Sequence, residues 1–213
     1  EGNVITELNV SNNQIPSLPT QKLGKLRTLN CSNNYVEELY GNHLKELSYL
    51  DCSTNMLTEL ILDQTVVEEV DCSNNKLSVF KLPNSTDMLE RFSANNCFGG
   101  DVNFKLDFTK YSKLRELSLA DNMGLTELKI PTHNRLKSVV ARNCNLQGAF
   151  TFSPGLRTTE IYPFIETIDM SNNPNLKVLV HSPYFGLNSV KEMNFTGCNV
   201  ISVVIGGLPS YAS

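Results

Sequence analysis

The sequence predicts a curved solenoid of about nine short repeats, each adding one strand to a parallel β-sheet on the concave face. Three observations support this prediction. The pattern apolar-x-x-apolar-x-apolar-x-x-Asn runs through all 213 residues. Successive copies begin 20 to 29 residues apart. The middle of each copy alternates apolar and polar residues, which is typical of a strand with one buried face.

The repeat begins nine times, and its copies leave no linker between them. They start at Ile5, Leu26, Leu47, Val67, Leu89, Leu114, Leu136, Ile165 and Val190. We therefore expect residues 1–213 to form a single domain. The chain opens on EGNVITEL without an initiator methionine, and neither end resembles a polar cap, so we expect a piece of a longer secreted chain.

A second apolar pair follows the asparagine in several repeats. Examples are Leu57 with Leu60, Leu77 with Phe80, Leu125 with Leu128, and Leu176 with Leu179. Parallel strands stacked ~4.8 Å apart bury their leucines only against neighbouring repeats. The second pair should therefore line the convex side of the same core. Helical periodicity with caps is lacking there, so we expect short extended or 3₁₀ segments.

These residues resemble the leucine-rich repeat family, whose signature is L-x-x-L-x-L-x-x-(Asn or Cys)-x-L. The copies ITELNVSNNQI, LRTLNCSNNYV and LSYLDCSTNML match it in frame, as do LRELSLADNMG and IETIDMSNNPN. The residue pattern of these copies is similar to the short bacterial repeat with a cysteine ladder in certain internalins, and to repeats in surface proteins of gut Bacteroidetes. The resemblance implies a right-handed coil, an extracellular or cell-surface location in a bacterium, and a binding role.

The six cysteines fall in two columns of the repeat. Three take the second inward position of successive strands: Cys31, Cys52 and Cys72. A buried thiol behaves as a small hydrophobe, so these should form a core ladder. Three take the position of the asparagine, where a thiol still donates weakly: Cys97, Cys144 and Cys198. Adjacent strands give parallel Cβ vectors, which fit a disulfide torsion poorly, so we expect free thiols.

The asparagine column marks the point at which the backbone leaves the strand and turns inside the coil. Its members are Asn13, Asn34, Asn55, Asn75, Asn122 and Asn173. A carboxamide offers both donors and acceptors to backbone groups that would otherwise be buried without partners. We therefore assign this column a structural role.

The residues between the inward leucines point out of the concave sheet. We name eight of the charged and aromatic ones the acidic strip: Tyr49, Asp51, Glu69, Asp71, Arg91, Glu116, Arg142 and Asp169. Two interpretations are open, a solvated face of short polar side chains and a recognition surface, since Tyr and Arg are enriched at binding hot spots. Neighbouring Asp51 and Asp71 are too few for a calcium site by themselves.

Longer repeats in the second half carry most of the aromatic residues. They are Phe104, Phe108, Tyr111, Phe150, Phe152, Tyr162, Phe164, Tyr184 and Phe185. In one interpretation the coil widens and phenylalanine fills its convex core. In the other, loops 153–164 and 181–189 project from one rim and present Tyr162, Tyr184 and Phe185 to a ligand, because insertions in solenoids often fall on the binding face.

Composition and spacing argue against several function classes. The net charge is −4 with both signs mixed, which gives no basic footprint for nucleic acid. No apolar run approaches the ~20 residues of a membrane span. The three histidines fall out of register with the cysteines, so we expect no metal site. No nucleophile–base pair, paired-carboxylate pocket or phosphate loop is readable, so we expect no catalytic residues and no cofactor.

After these exclusions, molecular recognition is the function class that the sequence favours. We expect a non-catalytic module that binds a protein through the concave sheet or the second-half loops, with host and cell-surface proteins as candidate partners. A carbohydrate-binding module is an alternative, because Asn, Asp and Ser side chains can bind sugar hydroxyls, although the concave face lacks aromatic platforms. A structural spacer for another domain is a further alternative.

Overall fold

The computed structural model describes residues 4–99, 101, 103–131, 135–152, 165–182 and 189–205. Two short 3₁₀ helices lie within them, Thr20–Lys22 and Gly41–His43. The strands of the described residues are β1 (Glu7–Asn9), β2 (Thr28–Asn30), β3 (Glu38–Tyr40), β4 (Tyr49–Asp51), β5 (Glu59–Ile61), β6 (Glu69–Asp71), β7 (Val79–Lys81), β8 (Arg91–Ser93), β9 (Phe104–Asp107), β10 (Glu116–Ser118), β11 (Leu125–Lys129), β12 (Ser138–Val140), β13 (Gly148–Phe152), β14 (Thr167–Asp169), β15 (Leu176–Ser182), β16 (Glu192–Asn194) and β17 (Asn199–Ile205).

The concave face is a nine-stranded parallel sheet. Its order is β1-β2-β4-β6-β8-β10-β12-β14-β16, so each repeat places its strand beside those of its neighbours. Leu50, for example, pairs with Leu29 on one side and with Val70 on the other. This confirms the predicted leucine-rich repeat solenoid and the frame of its nine copies.

The core follows the inward column of that sheet. The central residue of each strand from β2 to β14 in this sheet is at most 3% exposed: Leu29, Leu50, Val70, Phe92, Leu117, Val139 and Ile168. Each such side chain contributes ~1.5–3 kcal/mol through burial. Because every one packs mainly against the repeats before and after it, stability is distributed along the coil.

The convex side is built from extended segments, as expected, and within the described residues these pair into three further parallel sheets. Their orders are β3-β5-β7, β11-β9 and β13-β15-β17. Leu60, Leu77 and Leu125 from the second apolar pairs are buried there. The repeat pattern predicts the segments but not their pairing, since pairing depends on how repeats of unequal length keep register on the outer side of the coil.

Aromatic side chains fill the convex core of the middle repeats. Phe104 packs against Phe98 with ring centroids 4.4 Å apart, and Phe108 packs against Phe92 at 5.4 Å. The Tyr111 hydroxyl donates to the backbone oxygen of Pro83 at 2.7 Å. The core-filling interpretation is thus confirmed for these residues and for buried Phe152, while Tyr162, Phe164, Tyr184 and Phe185 lie outside the described residues.

Candidate binding surface on the concave sheet

Strand register places the acidic strip in rows across the sheet. Tyr49 pairs with Glu69, Glu69 with Arg91, and Arg91 with Glu116. These four neighbours form the first row, on strands β4, β6, β8 and β10. Parallel strands lie ~4.8 Å apart, so side chains of adjacent strands are in reach of one another. The sheet therefore brings one aromatic, two acidic and one basic side chain into a continuous line.

The second row begins with two carboxylates. Asp51 of β4 lies beside Asp71 of β6, and the next positions in the row are Ser93 and Ser118. Asp169 occupies the same row on β14, four strands from Asp71 and thus roughly 19 Å away. Asp169, which the sequence places in the acidic strip, is therefore too far away to act together with the neighbouring Asp51 and Asp71.

Arg91 is the cationic centre of the first row. Its guanidinium donates a hydrogen bond to the carboxylate of Glu69, and both side chains are partly exposed. This bond, together with the charges of Glu69, Glu116 and Glu90, raises the pKa of Arg91 above its ordinary value. The pair is a partly solvated ion pair, so it orders the row but contributes little to folding stability.

Tyr49 stands at the end of the first row and is 37% exposed. Partial burial raises the pKa of its phenol, and the carboxylates of Asp51, Glu69 and Asp71 raise it further. The phenol therefore remains protonated at neutral pH and can donate a hydrogen bond to a ligand. Its exposed ring offers an amphipathic contact of the kind enriched at hot spots.

Asp51 and Asp71 also hold the turn that follows their strands, a role that sequence reasoning missed. Asp51 Oδ1 accepts the backbone N–H of Ser53 at 3.1 Å and its hydroxyl at 2.7 Å. Asp71 Oδ1 accepts the backbone N–H of Ser73 at 2.9 Å. These are local Asx turns, in which a side-chain oxygen caps the backbone two residues on.

Asparagine performs the same capping in other repeats. Asn30 Oδ1 accepts the backbone N–H of Ser32 at 3.0 Å, and Asn9 Oδ1 accepts that of Ser11 at the same distance. The turn thus requires the oxygen and not the charge. The recurring pairs N-x-S and D-x-S in the sequence were the available signal for it.

Arg142 lies apart from the first two rows. It follows β12, is exposed, and stands one row further along the strand direction.

The residue directly before each position of the asparagine column was also missed by sequence reasoning. Eight such residues have positive φ, from 50° to 63°: Asn12, Asn33, Thr54, Asn74, Asn96, Asp121, Asn143 and Asn172.

These positive-φ residues form what we call the outer amide ladder. Asn33 Nδ2 donates to Asn12 Oδ1 at 2.9 Å, and Asn172 Nδ2 donates to Asn143 Oδ1 at 2.7 Å. Asn143 Nδ2 in turn donates to Asp121 Oδ1 at 2.7 Å. Asparagine tolerates the left-handed region better than other residues with a Cβ atom, which accounts for the double asparagine in SNN and ANN.

The inner asparagine column makes the backbone contacts that the sequence predicts. Asn34 Nδ2 donates to the carbonyl oxygens of Val10 and Cys31 at 2.9 and 3.0 Å, and Asn34 Oδ1 accepts the N–H of Ile15 at 3.0 Å. Asn55, Asn75, Asn122 and Asn173 repeat this arrangement. Asn13 is exposed, and its side chain donates to Val10 O and Ser11 O of its own repeat.

The cysteines are free thiols of the core. Burial raises the pKa of Cys31 from 9.0 to about 12 and that of Cys52 well above its ordinary value. A hydrogen bond with Cys97, followed by burial, raises the pKa of Cys72. A thiol held in its neutral form is a poor nucleophile and a poor metal ligand. The described residues contain no cluster of three potential metal-binding side chains.

The cysteines in the asparagine column donate where the carboxamide would. The Cys144 thiol bonds to the carbonyl oxygen of Leu119 at 3.2 Å, and the Cys198 thiol bonds to that of Met170 at 2.9 Å. Both contacts link a repeat to the one before it.

In the part of the chain that the structure describes, no helix has the length and apolar character needed to cross a membrane.

Comparison with known proteins places this fold among leucine-rich repeat solenoids. The structure superposes with a TM-score of 0.65 on the functional domain of InlJ from Listeria monocytogenes, a structure described as including a cysteine ladder. The two chains are 21% identical, and the match covers 96% of this chain and 44% of that one. At this identity the likeness concerns the fold.

A sequence relative covers a shorter segment. Tsukushi of Gallus gallus is 44% identical over 54 residues, which is 24% of this chain and 15% of that protein. No family model matches the chain. The chain thus spans less than half the length of either relative. Repeat frame, free cysteine ladder and superposition agree on one architecture, a leucine-rich repeat solenoid of the kind seen in the Listeria domain.

Proposed function

We propose that this chain is a non-catalytic binding module that recognises a protein through the acidic strip. The observation that carries the proposal is the alignment of Tyr49, Glu69 and Arg91 in one row beside Asp51 and Asp71 in the next. This places one aromatic ring, three carboxylates and one guanidinium on an open, rigid sheet. A surface held by strand register needs little reordering on binding.

Charge favours a basic partner surface. Glu69, Glu116, Asp51 and Asp71 outnumber Arg91 within the two rows, and the whole chain carries −4. Complementary charge speeds association and fixes orientation more than it adds affinity. We propose a bacterial secreted or cell-surface protein as the setting, supported by the fold shared with the Listeria domain and by the cysteine ladder.

A binding screen tests this function. The purified chain is presented to panels of extracellular host proteins and of polysaccharides, with and without Ca²⁺. A protein partner whose binding weakens at high salt supports the proposal, because exposed charge pairs are screened. A polysaccharide hit would instead favour a carbohydrate-binding module. Silence on both panels would favour a structural spacer.

The Asx turns determine which variant locates the site. Asp51→Asn with Asp71→Asn removes two charges and keeps the oxygens that cap the turns, as Asn9 and Asn30 do elsewhere. The matched control is Glu38→Gln with Glu59→Gln, which removes two charges from convex strands β3 and β5. We expect the concave variant to lose about tenfold in affinity, or ~1.4 kcal/mol, and the control to lose none. Equal affinities would place the site off the concave sheet.

A further inference from the structure

The convex sheets are interrupted between β11 and β13. One sheet ends at β11 and the next begins at β13, so among the described residues these two strands are not paired. Immediately before the gap the two segments are still bonded, because Asn145 N–H donates to Leu125 O at 3.2 Å and Gln147 N–H donates to Thr126 O at 3.0 Å. The strands are therefore held together at their base and separate beyond it. We call this cleft the fork.

Two backbone irregularities lie at the branch point. Gly148, the first residue of β13, has φ +85°, a conformation that side chains with a Cβ rarely adopt. A Cβ there would meet no atom within 4 Å, so glycine is needed at this position for its positive φ and not because space is lacking. The pairing of β11 with β9 shifts register between Leu125 and Glu127. Such bulges redirect a strand and are common beside binding sites.

The fork exposes the unpaired edge of a strand. Along β11, the carbonyl of Lys129 accepts the N–H of Phe108 and so faces β9. Main-chain groups of successive residues point to opposite sides of a strand, so those of Leu128 face the fork. In the described residues no strand pairs with this edge. An unpaired edge is a ready template for another extended segment.

Cavity and charge define what the fork accepts. Its volume is about 540 Å³, within the range of ~300–1,000 Å³ usual for ligand sites. The lining combines apolar side chains, among them Leu146 and Met170, with a charged rim. Three lysines and one glutamate make up the charged residues that line the fork and an adjoining depression, which shares Gln147, Gly148 and Ala149 with it: Lys105, Lys129, Lys177 and Glu127.

The rim is positive in a chain that is acidic overall. Glu127 lies 3.1 Å from Lys105 Nζ and 3.4 Å from Lys129 Nζ, so a single carboxylate is shared between two ammonium groups. Lys177 lies beyond β13, on the strand that pairs with it, and lines the adjoining depression. The fork and the adjoining depression together have two positive charges in excess, one of them in the fork itself, against a chain charge of −4. An acidic ligand is the complement of this rim.

We propose that the fork binds an extended acidic peptide segment, which adds as a strand to the open edge of β11. Main-chain hydrogen bonds to Leu128 provide affinity, the apolar floor takes every second side chain, and the lysines select for carboxylates on the alternate ones. The fork belongs to the convex sheets. It is therefore independent of the acidic strip and of the function proposed for it.

Fluorescence anisotropy with synthetic peptides tests the proposal. The probe is a fluorescein-labelled octapeptide of alternating valine and glutamate. One comparison peptide replaces glutamate by lysine, and another carries N-methyl groups on alternate amides, which removes strand hydrogen bonds and keeps the charge. We expect saturable binding of the probe and binding at least about tenfold weaker for both comparison peptides, a difference of ~1.4 kcal/mol.

A charge-reversed chain locates the site. Lys129→Glu with Lys177→Glu should weaken binding of the probe about tenfold or more, or ~1.4 kcal/mol. The matched control, Lys45→Glu with Lys81→Glu, reverses two exposed lysines away from the fork and should bind as the unaltered chain does. Circular dichroism before and after heating verifies that both variants fold.

Four results would each overturn the proposal. The first is the absence of saturable binding of the valine–glutamate probe. The second is equal binding of the N-methylated peptide, which would show attraction by charge without strand addition. The third is equal weakening in the two variants, which would show a general effect of chain charge. Displacement of the probe by polygalacturonate at an equal concentration of carboxylates would likewise show that charge alone is recognised.

Discussion

The thiol of Cys97 donates a hydrogen bond to the backbone oxygen of Cys72 at a sulfur–oxygen distance of 3.2 Å. In the preceding repeat the same contact is made by a carboxamide, since Asn75 Nδ2 donates to Cys52 O at 3.1 Å. The position therefore requires a donor directed at the previous repeat and accepts two different chemistries. This explains why Cys and Asn alternate in one column of the sequence.

Truncation of Cys97 should destabilise the solenoid. Cys97→Ala removes one of two side-chain donors to the carbonyl of Cys72, the other being Asn75 Nδ2 at 2.8 Å, so we expect a loss of ~0.5–1.5 kcal/mol in the free energy of unfolding. Cys97→Ser keeps a donor and should lose less. Urea denaturation measures both. Equal losses would show that the thiol acts only by filling space.

Alkaline pH should lower the stability of the chain between the ordinary pKa of the Cys31 thiol and its raised pKa in the folded protein. The pKa of Cys31 is about 12 in the folded protein and 9.0 when the thiol is solvated. Between these values the unfolded chain binds fewer protons than the folded one, so stability falls as pH rises. Buried Tyr111, whose pKa burial raises to about 12, adds to the same trend.

The urea midpoint measured from pH 8 upward checks this trend. We expect a plateau below pH 9 and a decline above it, set by the ordinary pKa of the thiol. Cys31→Ala should have a shallower decline, whatever its stability at neutral pH. An unchanged slope in that variant would remove Cys31 as a cause.

Replacing Asn122 by alanine should destabilise the solenoid more than replacing Asn13. Its Nδ2 donates to Ala94 O and Leu119 O at 2.7 Å, and its Oδ1 accepts the N–H groups of Cys97 and Phe98 at 2.7 Å. Asn122→Ala leaves several buried groups unpaired at ~1–3 kcal/mol each, so we expect partial unfolding of the middle repeats.

The matched comparison for this prediction is Asn13→Ala. Asn13 occupies the same column but is exposed, and the hydrogen bonds of its side chain stay within its own repeat. We expect it to cost less than ~1 kcal/mol. Hydrogen exchange reports the two cases separately, because loss of protection around repeats four to six would follow only from Asn122→Ala. Similar losses from both variants would contradict the inter-repeat role of the column.

The repeat frame was predictable from sequence because it rests on spacing. Leu50 is buried and Asn55 turns inward wherever the period places them, and the nine-stranded sheet follows. The Asx turns and the outer amide ladder were missed because the recurring N-x-S, D-x-S and SNN sequences indicate them only once the local backbone geometry is known. The fork was missed for a different reason, since it arises from Gly148 and a register shift between repeats of unequal length.

Asp51 offers the clearest separation of folding from recognition. Its Oδ1 accepts two hydrogen bonds from Ser53, so Asp51→Ala should cost ~1 kcal/mol of folding stability, whereas Asp51→Asn retains the acceptor and should stay within ~0.5 kcal/mol of the original chain. Thermal unfolding of the two variants measures the difference. If Asp51→Asn were as destabilising as Asp51→Ala, the charge itself would stabilise the turn, and a loss of binding in the asparagine variant would no longer distinguish a recognition surface from a weakened sheet.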